Sequence, residues 1–213
     1  MTLENKLGTT DSQELARAEE RISKQKALAL FESGALDQMA PGTFAALAQI
    51  HRALFVDIYD FAGDLRTVNI AKGHFRFASA LYLEAAVAEI ERMPQNNFDE
   101  IVAKYVEMNV AHPFHEGNGR SMRIWLDQML KAALGKVVDW SLVDKEDYLL
   151  AMEHSPVRDT EIKTLLGAAL TDRVADRALF MKGIDRSYEY EGYSAYRTER
   201  SEERRVGKEC CVA

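Results

Sequence analysis

Cysteine, excess positive charge and long apolar runs are all scarce in this chain of 213 residues. Both cysteines, Cys210 and Cys211, lie in the last four residues, and their absence elsewhere suits a reducing compartment. No stretch approaches the roughly 20 apolar residues that a membrane-spanning helix needs. The first residues, MTLENKLGTTDSQEL, lack the apolar core of a signal peptide. We therefore expect a cytoplasmic protein with no membrane partner.

Positive charge is not concentrated anywhere in the sequence. Lys and Arg number 27 against 34 Asp and Glu, which gives a net charge of -7, and the two signs are interspersed. Proteins that bind DNA or RNA directly usually carry a basic patch. We therefore expect no direct nucleic-acid partner. The hydrophobic content of 47% is ordinary for a globular chain, and the length suits one domain.

Apolar residues recur every three or four positions, which predicts a largely helical fold. Helices are predicted over residues 12–33, 43–59, 80–92, 98–112, 119–134, 145–153, 159–169 and 173–185. The one convincing β signal lies in residues 64–78, DLRTVNIAKGHFRFA, where short apolar runs flank Lys72 and Gly73 and predict a hairpin. Because an isolated hairpin is marginal in water, this one should lie on the helical body or serve a partner.

The C-terminal residues differ in character from the rest of the chain. Residues 200–210, RSEERRVGKEC, read like the in-frame translation of a sequencing-library adapter, and a disordered polar tail is the alternative. We expect one domain over residues 1–196 and disorder over residues 197–213.

Residues 112–123, HPFHEGNGRSMR, concentrate reactive side chains between two predicted helices. His112 closes the apolar stripe of the first helix, which should end there because a residue before proline avoids the α conformation. An ordinary histidine has a pKa of about 6.5, so it can act as a general base at neutral pH. The alternative is a core histidine satisfied by hydrogen bonds.

A glycine-rich turn precedes the second of these helices. Gly117, Asn118 and Gly119 would leave backbone N–H groups uncovered at the positive end of the helix, which favours an anion such as phosphate. Glu116 could hold Mg²⁺ through one carboxylate while phosphates supply other ligands. The alternatives are a plain turn and a glutamate that complements the helix dipole.

Two arginines follow the turn. Arg120 and Arg123 share one helix face and could add forked donors to the same anion, or form a solvated basic face paired with Asp127. Taken together, the residues of this segment make a complete set for phosphoryl or nucleotidyl transfer.

The segment resembles the signature of the Fic family, H-x-F-x-[D/E]-G-N-G-R-x-x-R. It matches at every fixed position, namely His112, Phe114, Glu116, Gly117, Asn118, Gly119, Arg120 and Arg123. Residues 50–66 and 69–77 also resemble the family's preceding helix and flap hairpin, so the similarity covers about residues 20–195. The resemblance implies an all-α fold, a helical bundle with a small β-hairpin flap.

The resemblance also implies AMP transfer from ATP to a Ser, Thr or Tyr hydroxyl of a target protein. His112 would deprotonate that hydroxyl and Glu116 would hold Mg²⁺. The phosphate-binding residues would be Gly117, Asn118, Gly119, Arg120 and Arg123. The flap would dock an extended target segment by strand addition, through Ile70, Lys72, Gly73 and Phe75. Bacterial relatives that modify DNA topoisomerase subunits make those subunits candidate targets by analogy, and short relatives can form homo-oligomers.

Residues 187–192, SYEYEG, resemble the family's inhibitory motif, [S/T]-x-x-x-E-[G/N], on a helix expected over about residues 173–192. Ser187 and Glu191 are four residues apart and would share one helix face. By the resemblance, Glu191 pairs with Arg123 and occupies the γ-phosphate position. The alternative is an ordinary terminal helix stopped by glycine. Nearby hydroxyls are candidates for self-modification: Tyr188, Tyr190 and Tyr193.

Other functions stay open at this point. The same fold could remove AMP, with Glu191 activating water, or transfer another phosphate-containing group. In a different class, the chain could be a catalytically inert helical interaction module or a helix-turn-helix DNA binder. The acidic charge and the fully matched motif argue against that last class.

Overall fold

The structure is a computed structural model that describes residues 2–72 and 75–190, with Lys72 and Phe75 described by backbone alone. These residues form eight α-helices: α1 Ser12–Glu32, α2 Phe44–Phe55, α3 Leu83–Glu91, α4 Phe98–Ala111, α5 Asn118–Leu134, α6 Lys145–His154, α7 Thr160–Ala168 and α8 Arg177–Tyr190. The described chain also contains three short 3₁₀ helices and two short antiparallel sheets, β1 Ala71–Lys72 with β2 Phe75–Arg76, and β3 Val137–Val138 with β4 Leu170–Thr171. The expected all-α bundle with a hairpin flap is confirmed.

Polar side chains begin several of the helices. Asp11 accepts from the backbone N–H groups of the first turn of α1, Thr43 does the same for α2, and Asn97 for α4. Such caps satisfy donors that have no partner inside the helix, and each is worth about 1 kcal/mol. The starting points of these helices are thus fixed by local sequence.

Helix α5 is the central element and packs against α2, α4 and α8. Its buried face includes Trp125, whose indole Nε1 donates to the Thr43 carbonyl oxygen at 3.0 Å, and the fully buried Met122 and Leu126. Because α4 and α5 are joined by only six residues, this packing fixes where α4 ends relative to the first turn of α5.

Several of the predicted boundaries differ from the structure; for example, the helix predicted over residues 80–92 spans Leu83–Glu91. The helix predicted over residues 43–59 ends at Phe55, although Ile58 and Tyr59 remain buried, because the apolar pattern continues through a turn. The last helix begins at Arg177 rather than residue 173, where the Asp176 side chain accepts from Leu179 N at 3.0 Å. The sheet of β3 and β4 was not expected, since strands of two residues are too short to show alternation.

Helix α8 lies against α1 along most of its length. Lys24 Nζ is 2.7 Å from Asp185 Oδ1, and the rings of Phe31 and Phe180 stack with centroids 4.6 Å apart. In the described part of the chain, no helix combines the length and apolar character needed to cross a bilayer.

Candidate active site

His112 caps the C-terminal end of α4, as expected, with φ 49° and ψ 65°. It is the one residue other than glycine with positive φ in the described ranges. Its imidazole stacks on the Phe77 ring with centroids 3.7 Å apart, and Nδ1 lies 3.2 Å from the Asn109 carbonyl oxygen. A proton on Nδ1 would donate to that carbonyl and leave Nε2 as the basic nitrogen of the ring.

The Asn118 side chain closes the loop between the two helices. Phe114 N donates to Asn118 Oδ1 at 2.8 Å, and Asn118 Nδ2 donates to the Phe114 carbonyl oxygen at 2.7 Å. The side-chain amide of Asn118 is therefore used by the loop itself. Any contribution of this residue to an anion site comes from its backbone N–H.

Glycine is required at position 117 by both the backbone conformation and the space beside it. Its φ is +76°, a left-handed value that favours glycine, and a Cβ atom there would lie 2.5 Å from Cε2 of Phe55. The close approach of Phe55 thus presses the loop onto α2.

The first turn of α5 supplies backbone donors. The N–H groups of Asn118 and Gly119 have no hydrogen-bond acceptor among the described residues, and the first bond of the turn is Ser121 N to the Gly117 carbonyl oxygen at 3.2 Å. Free N–H groups at the positive end of a helix favour an anion. The N–H groups expected to be uncovered are therefore open at Asn118 and Gly119, whereas that of Gly117 donates to the Glu116 side chain.

The Glu116 carboxylate has one oxygen engaged and one available. Oε1 accepts from Gly117 N at 3.0 Å and from an Arg120 Nη2 at 2.9 Å, while no donor among the described residues reaches Oε2. The side chain is 35% exposed. No cluster of three or more metal-ligating side chains occurs in the part of the chain that the structure describes. A single hard oxygen fits Mg²⁺ where phosphates and water supply the other ligands.

Arg120 is buried, with only 2% of its surface exposed. Its guanidinium pairs with Glu19 of α1 and Glu116, and Nη1 donates to the Tyr188 hydroxyl at 3.3 Å. The Phe55 and Tyr188 rings flank it, with centroids 4.8 Å and 5.0 Å from Cζ. The alternative of a solvated basic face is therefore wrong for this arginine.

Arg123 is buried as well, with 4% exposure. Nε donates to Ser187 Oγ at 2.7 Å and Nη2 to the Ser187 carbonyl oxygen at 3.2 Å. The Asp127 carboxylate instead accepts from Val138 N at 2.8 Å and Trp140 Nε1 at 3.0 Å. The alternative pairing of Arg123 with Asp127 is thus wrong.

Aromatic rings surround the Arg123 guanidinium. The centroids of Tyr190, Trp140 and Tyr148 lie 5.1 Å, 5.9 Å and 5.9 Å from Cζ. Such contacts between a cation and ring faces are favourable, most of all when desolvated. Because Tyr190 belongs to α8, that helix contributes a ring as well as Ser187 to the surroundings of Arg123.

The hydroxyls considered for self-modification are engaged where the structure describes them. The Tyr188 hydroxyl contacts Ser23 Oγ, and burial raises the pKa of Tyr188 to about 12. The Tyr190 hydroxyl donates to the Val143 carbonyl oxygen at 2.9 Å. Glu191 and Tyr193 lie outside the described residues.

The flap forms the predicted antiparallel hairpin, with Ala71 opposite Arg76 and Lys72 opposite Phe75. Ile70 is half-buried, and its carbonyl oxygen accepts from Phe77 N at 3.4 Å. Within the described chain neither strand pairs with a third, so the hairpin has a free edge of the kind that strand addition requires. Gly73, expected at the turn, lies outside the described residues.

His51 of α2 is a site residue that the sequence reasoning missed. It is fully buried; Nδ1 accepts from Gly63 N at 2.9 Å, so the proton is on Nε2, which donates to the Glu116 carbonyl oxygen at 2.8 Å. Its ring stacks on Phe114 at 3.9 Å, and burial lowers its pKa to about 4. The sequence feature that could have pointed to this residue is a lone histidine on the apolar stripe of α2.

Comparison with known proteins agrees with this geometry. The model of the Fic/DOC family matches residues 41–130. The probable protein adenylyltransferase Fic of Salmonella typhimurium is 32% identical over 200 residues, which cover 89% of this chain and 90% of the relative. Protein adenylyltransferase VbhT of Bartonella schoenbuchensis is 28% identical over 173 residues, which cover 76% of this chain and 35% of VbhT.

Solved structures share the fold. The crystal structure of the BepC protein of Bartonella tribocorum with bound AMPPNP superposes with a TM-score of 0.67 and 20% identity, over 80% of this chain and 93% of that one. The signature residues, the helical architecture and the 32% identity to a relative of which the chain covers 90% show that this chain belongs to the Fic/DOC family.

Proposed function

We propose that this chain is a protein adenylyltransferase, which moves AMP from ATP to a Ser, Thr or Tyr hydroxyl of a target protein. The observation that carries the proposal is the junction of α4 and α5. It joins a histidine at the end of one helix to open backbone donors at the start of the next, with two arginines one turn further on. The names of the relatives at 28–32% identity support the same activity.

In the proposed reaction, His112 Nε2 takes the proton of the target hydroxyl. The hydroxyl oxygen then forms a bond to the α-phosphorus of ATP, and the bond from that phosphorus to the oxygen bridging to the β-phosphate breaks. Pyrophosphate leaves and AMP stays on the target. The backbone of residues 117–119 would bind phosphate oxygens, and Arg120 and Arg123 would bind the outer phosphates.

Glu116 is the residue that would hold Mg²⁺, through the Oε2 atom that has no donor among the described residues. The cation would neutralise phosphate charge when bound. The Arg120 contact to Oε1 keeps the carboxylate oriented at the start of α5.

We also propose that α8 holds the enzyme in an inhibited state. Both arginines that would bind the triphosphate are buried, and α8 supplies partners to each, through Tyr188 for Arg120 and Ser187 for Arg123. Glu191, by the family resemblance, would add a carboxylate to Arg123. ATP could bind productively only after α8 moves.

The flap is the proposed docking surface for the target, because an extended segment could add to the free edge of the hairpin. DNA topoisomerase subunits are candidate targets by analogy with bacterial relatives, and a cytoplasmic location and homo-oligomers are part of the same proposal.

Labelled ATP tests the activity. In a bacterial cell extract given ATP labelled at the α-phosphate, Glu191→Gly should increase protein labelling, and adding His112→Ala to it should abolish the labelling. His154→Ala, on the exposed surface of α6, is the matched control and should change nothing. Labelling by γ-labelled rather than α-labelled ATP, or no labelling by Glu191→Gly, would contradict AMP transfer.

A further inference from the structure

Arg66 lies just before the flap and is only 5% exposed. Among the described residues, its guanidinium donates only to main-chain carbonyl oxygens. Nε donates to His112 at 2.7 Å, one Nη to Val68 at 2.7 Å, and the other Nη to Ala78 at 2.5 Å and Ala111 at 3.0 Å. It forms no ion pair with any carboxylate that the structure describes.

A buried cation without a carboxylate needs another source of stabilisation. Here it comes from the end of α4, where the last carbonyl groups lack helical donors and carry the negative end of the helix dipole. A planar guanidinium with five N–H donors can bind several carbonyls at once. The arrangement uses the charge of Arg66 to hold backbone segments at fixed positions.

The segments that it joins are the two ends of the flap and the end of α4. Val68 precedes β1 and Ala78 follows β2, so the carbonyls of both flap ends share one guanidinium. Two backbone bonds run alongside, from Ala78 N to the Val110 carbonyl oxygen at 3.0 Å and from Arg66 N to the Pro113 carbonyl oxygen at 2.9 Å.

His112 is the residue most affected by this junction. Its backbone is left-handed, which a side chain with Cβ rarely adopts, so surrounding contacts must hold it. Arg66 Nε binds its carbonyl oxygen, and the Phe77 ring from the end of the flap stacks on its imidazole. The position of the flap and the orientation of the imidazole are therefore mechanically linked.

We propose that Arg66 is a positioning residue that couples the flap to His112, so that the segment that docks the target also aligns the base. No hydrogen bond joins Arg66 to the glycine turn of residues 117–119, so nucleotide binding should not depend on it. The catalytic consequence rests on the proposed adenylyltransferase activity, whereas the structural coupling does not.

Amide hydrogen exchange of the flap tests the coupling without any enzyme activity. Arg66→Gln removes the charge and most of the fork, and Arg66→Lys keeps the charge but not the planar fork. Both should raise exchange in residues 67–72 and 75–79 by about tenfold or more, as expected when several charge-assisted hydrogen bonds are lost.

Lys104 provides a matched control. Lys104 is also buried, and its Nζ donates to the main-chain carbonyl oxygens of Glu91 and Met93 and to the side-chain amide oxygen of Gln95. These partners are neutral, like those of Arg66, but they do not belong to the flap. Lys104→Gln should lower overall stability and leave flap exchange unchanged. Flap exchange at the parental rate in both Arg66 variants, or raised equally in Lys104→Gln, would overturn the coupling.

Kinetics then test the consequence for catalysis, in the Glu191→Gly background with α-labelled ATP. Arg66→Lys should lower the maximal rate of AMP incorporation by roughly tenfold to a hundredfold, the scale of a slightly misplaced catalytic group, with the KM for ATP within about twofold. Equal losses in Lys104→Gln, or a raised KM for ATP at unchanged maximal rate, would refute the positioning role. If the Glu191→Gly parent labels nothing, the proposed function fails, while the exchange experiment still decides the coupling.

Discussion

Arg123 of α5 and Ser187 of α8 are joined by two hydrogen bonds, from Nε to the serine Oγ at 2.7 Å and from Nη2 to the serine carbonyl oxygen at 3.2 Å. The motif residue proposed to bind the triphosphate thus already has a partner, supplied by the same chain. Because Arg123 and Ser187 are both buried, ATP bound as proposed would compete with Ser187 for one guanidinium. In the proposed inhibited state, Ser187 would therefore contribute beside Glu191.

Ser187→Ala should raise AMP incorporation by about fivefold, since one hydrogen bond of about 1 kcal/mol would be lost from the inhibited state. The rate of protein labelling from α-labelled ATP measures it. Ser155→Ala is the matched control, because Ser155 is also buried and donates to a carbonyl oxygen, that of Met152 at 2.7 Å, away from the site. Equal labelling by wild type and Ser187→Ala would argue against an inhibitory role for this serine.

Gly117→Ala should destabilise the fold and remove activity, because the added Cβ must enter the Phe55 ring as well as a left-handed backbone. Gly135→Ala separates the two causes, since Gly135 has φ +64° and no atom of the described residues within 4 Å of its Cβ position. That variant should lose only about 1–2 kcal/mol from the backbone conformation. Urea denaturation measures both losses, and an equal loss in the two variants would mean that the contact with Phe55 is unimportant.

Glu116→Gln should raise the Mg²⁺ concentration for half-maximal AMP incorporation by about tenfold or more, since a neutral amide binds a hard cation less well than a carboxylate. Glu161→Gln is the control. The Glu161 side chain is also 35% exposed and also forms an ion pair with an arginine, Arg158, but it belongs to α7 and not to the candidate site. An unchanged Mg²⁺ requirement in Glu116→Gln would remove Glu116 from the proposed metal site.

His51 should make stability depend on pH. Its pKa is lowered to about 4 in the folded protein by burial, against about 6.5 when unfolded. A lowered pKa contributes stability that is present above about pH 6.5 and lost as the pH falls towards about 4. The free energy of unfolding of wild type minus that of His51→Gln, from urea denaturation, should decrease as the pH is lowered from about 6.5 to about 4. A constant difference would show that His51 does not titrate as expected.

The sequence predicted the helices and the junction at residues 112–123 well, because both depend on local patterns. Apolar spacing indicated α4 and α5, and Pro113 marked the end of the first helix. The short strands β3 and β4 were missed, since pairing between Val138 and Leu170 is a tertiary contact with no local period. The end of α2 was placed too late because Ile58 is buried without being helical.

The sequence also could not predict which residues that lie far apart in the chain contact each other in the fold. Glu19 precedes Arg120 by 101 residues, yet the two are paired in the structure. His51 and Arg66 look like ordinary residues in the sequence, and only packing brings the first to the Glu116 carbonyl and the second to the His112 carbonyl. Motif residues could be recognised, whereas the residues that hold them in place could not.

The two hydrogen bonds between Asn118 and the Phe114 backbone have a thermodynamic consequence. A loop that is already closed has little conformational entropy left to lose when a nucleotide arrives. Ordering of the motif should then add little to the unfavourable entropy of nucleotide binding. Asn118→Ala would open the loop and add the entropic cost of ordering it, a change that calorimetry of ATP binding can separate from a loss of contacts.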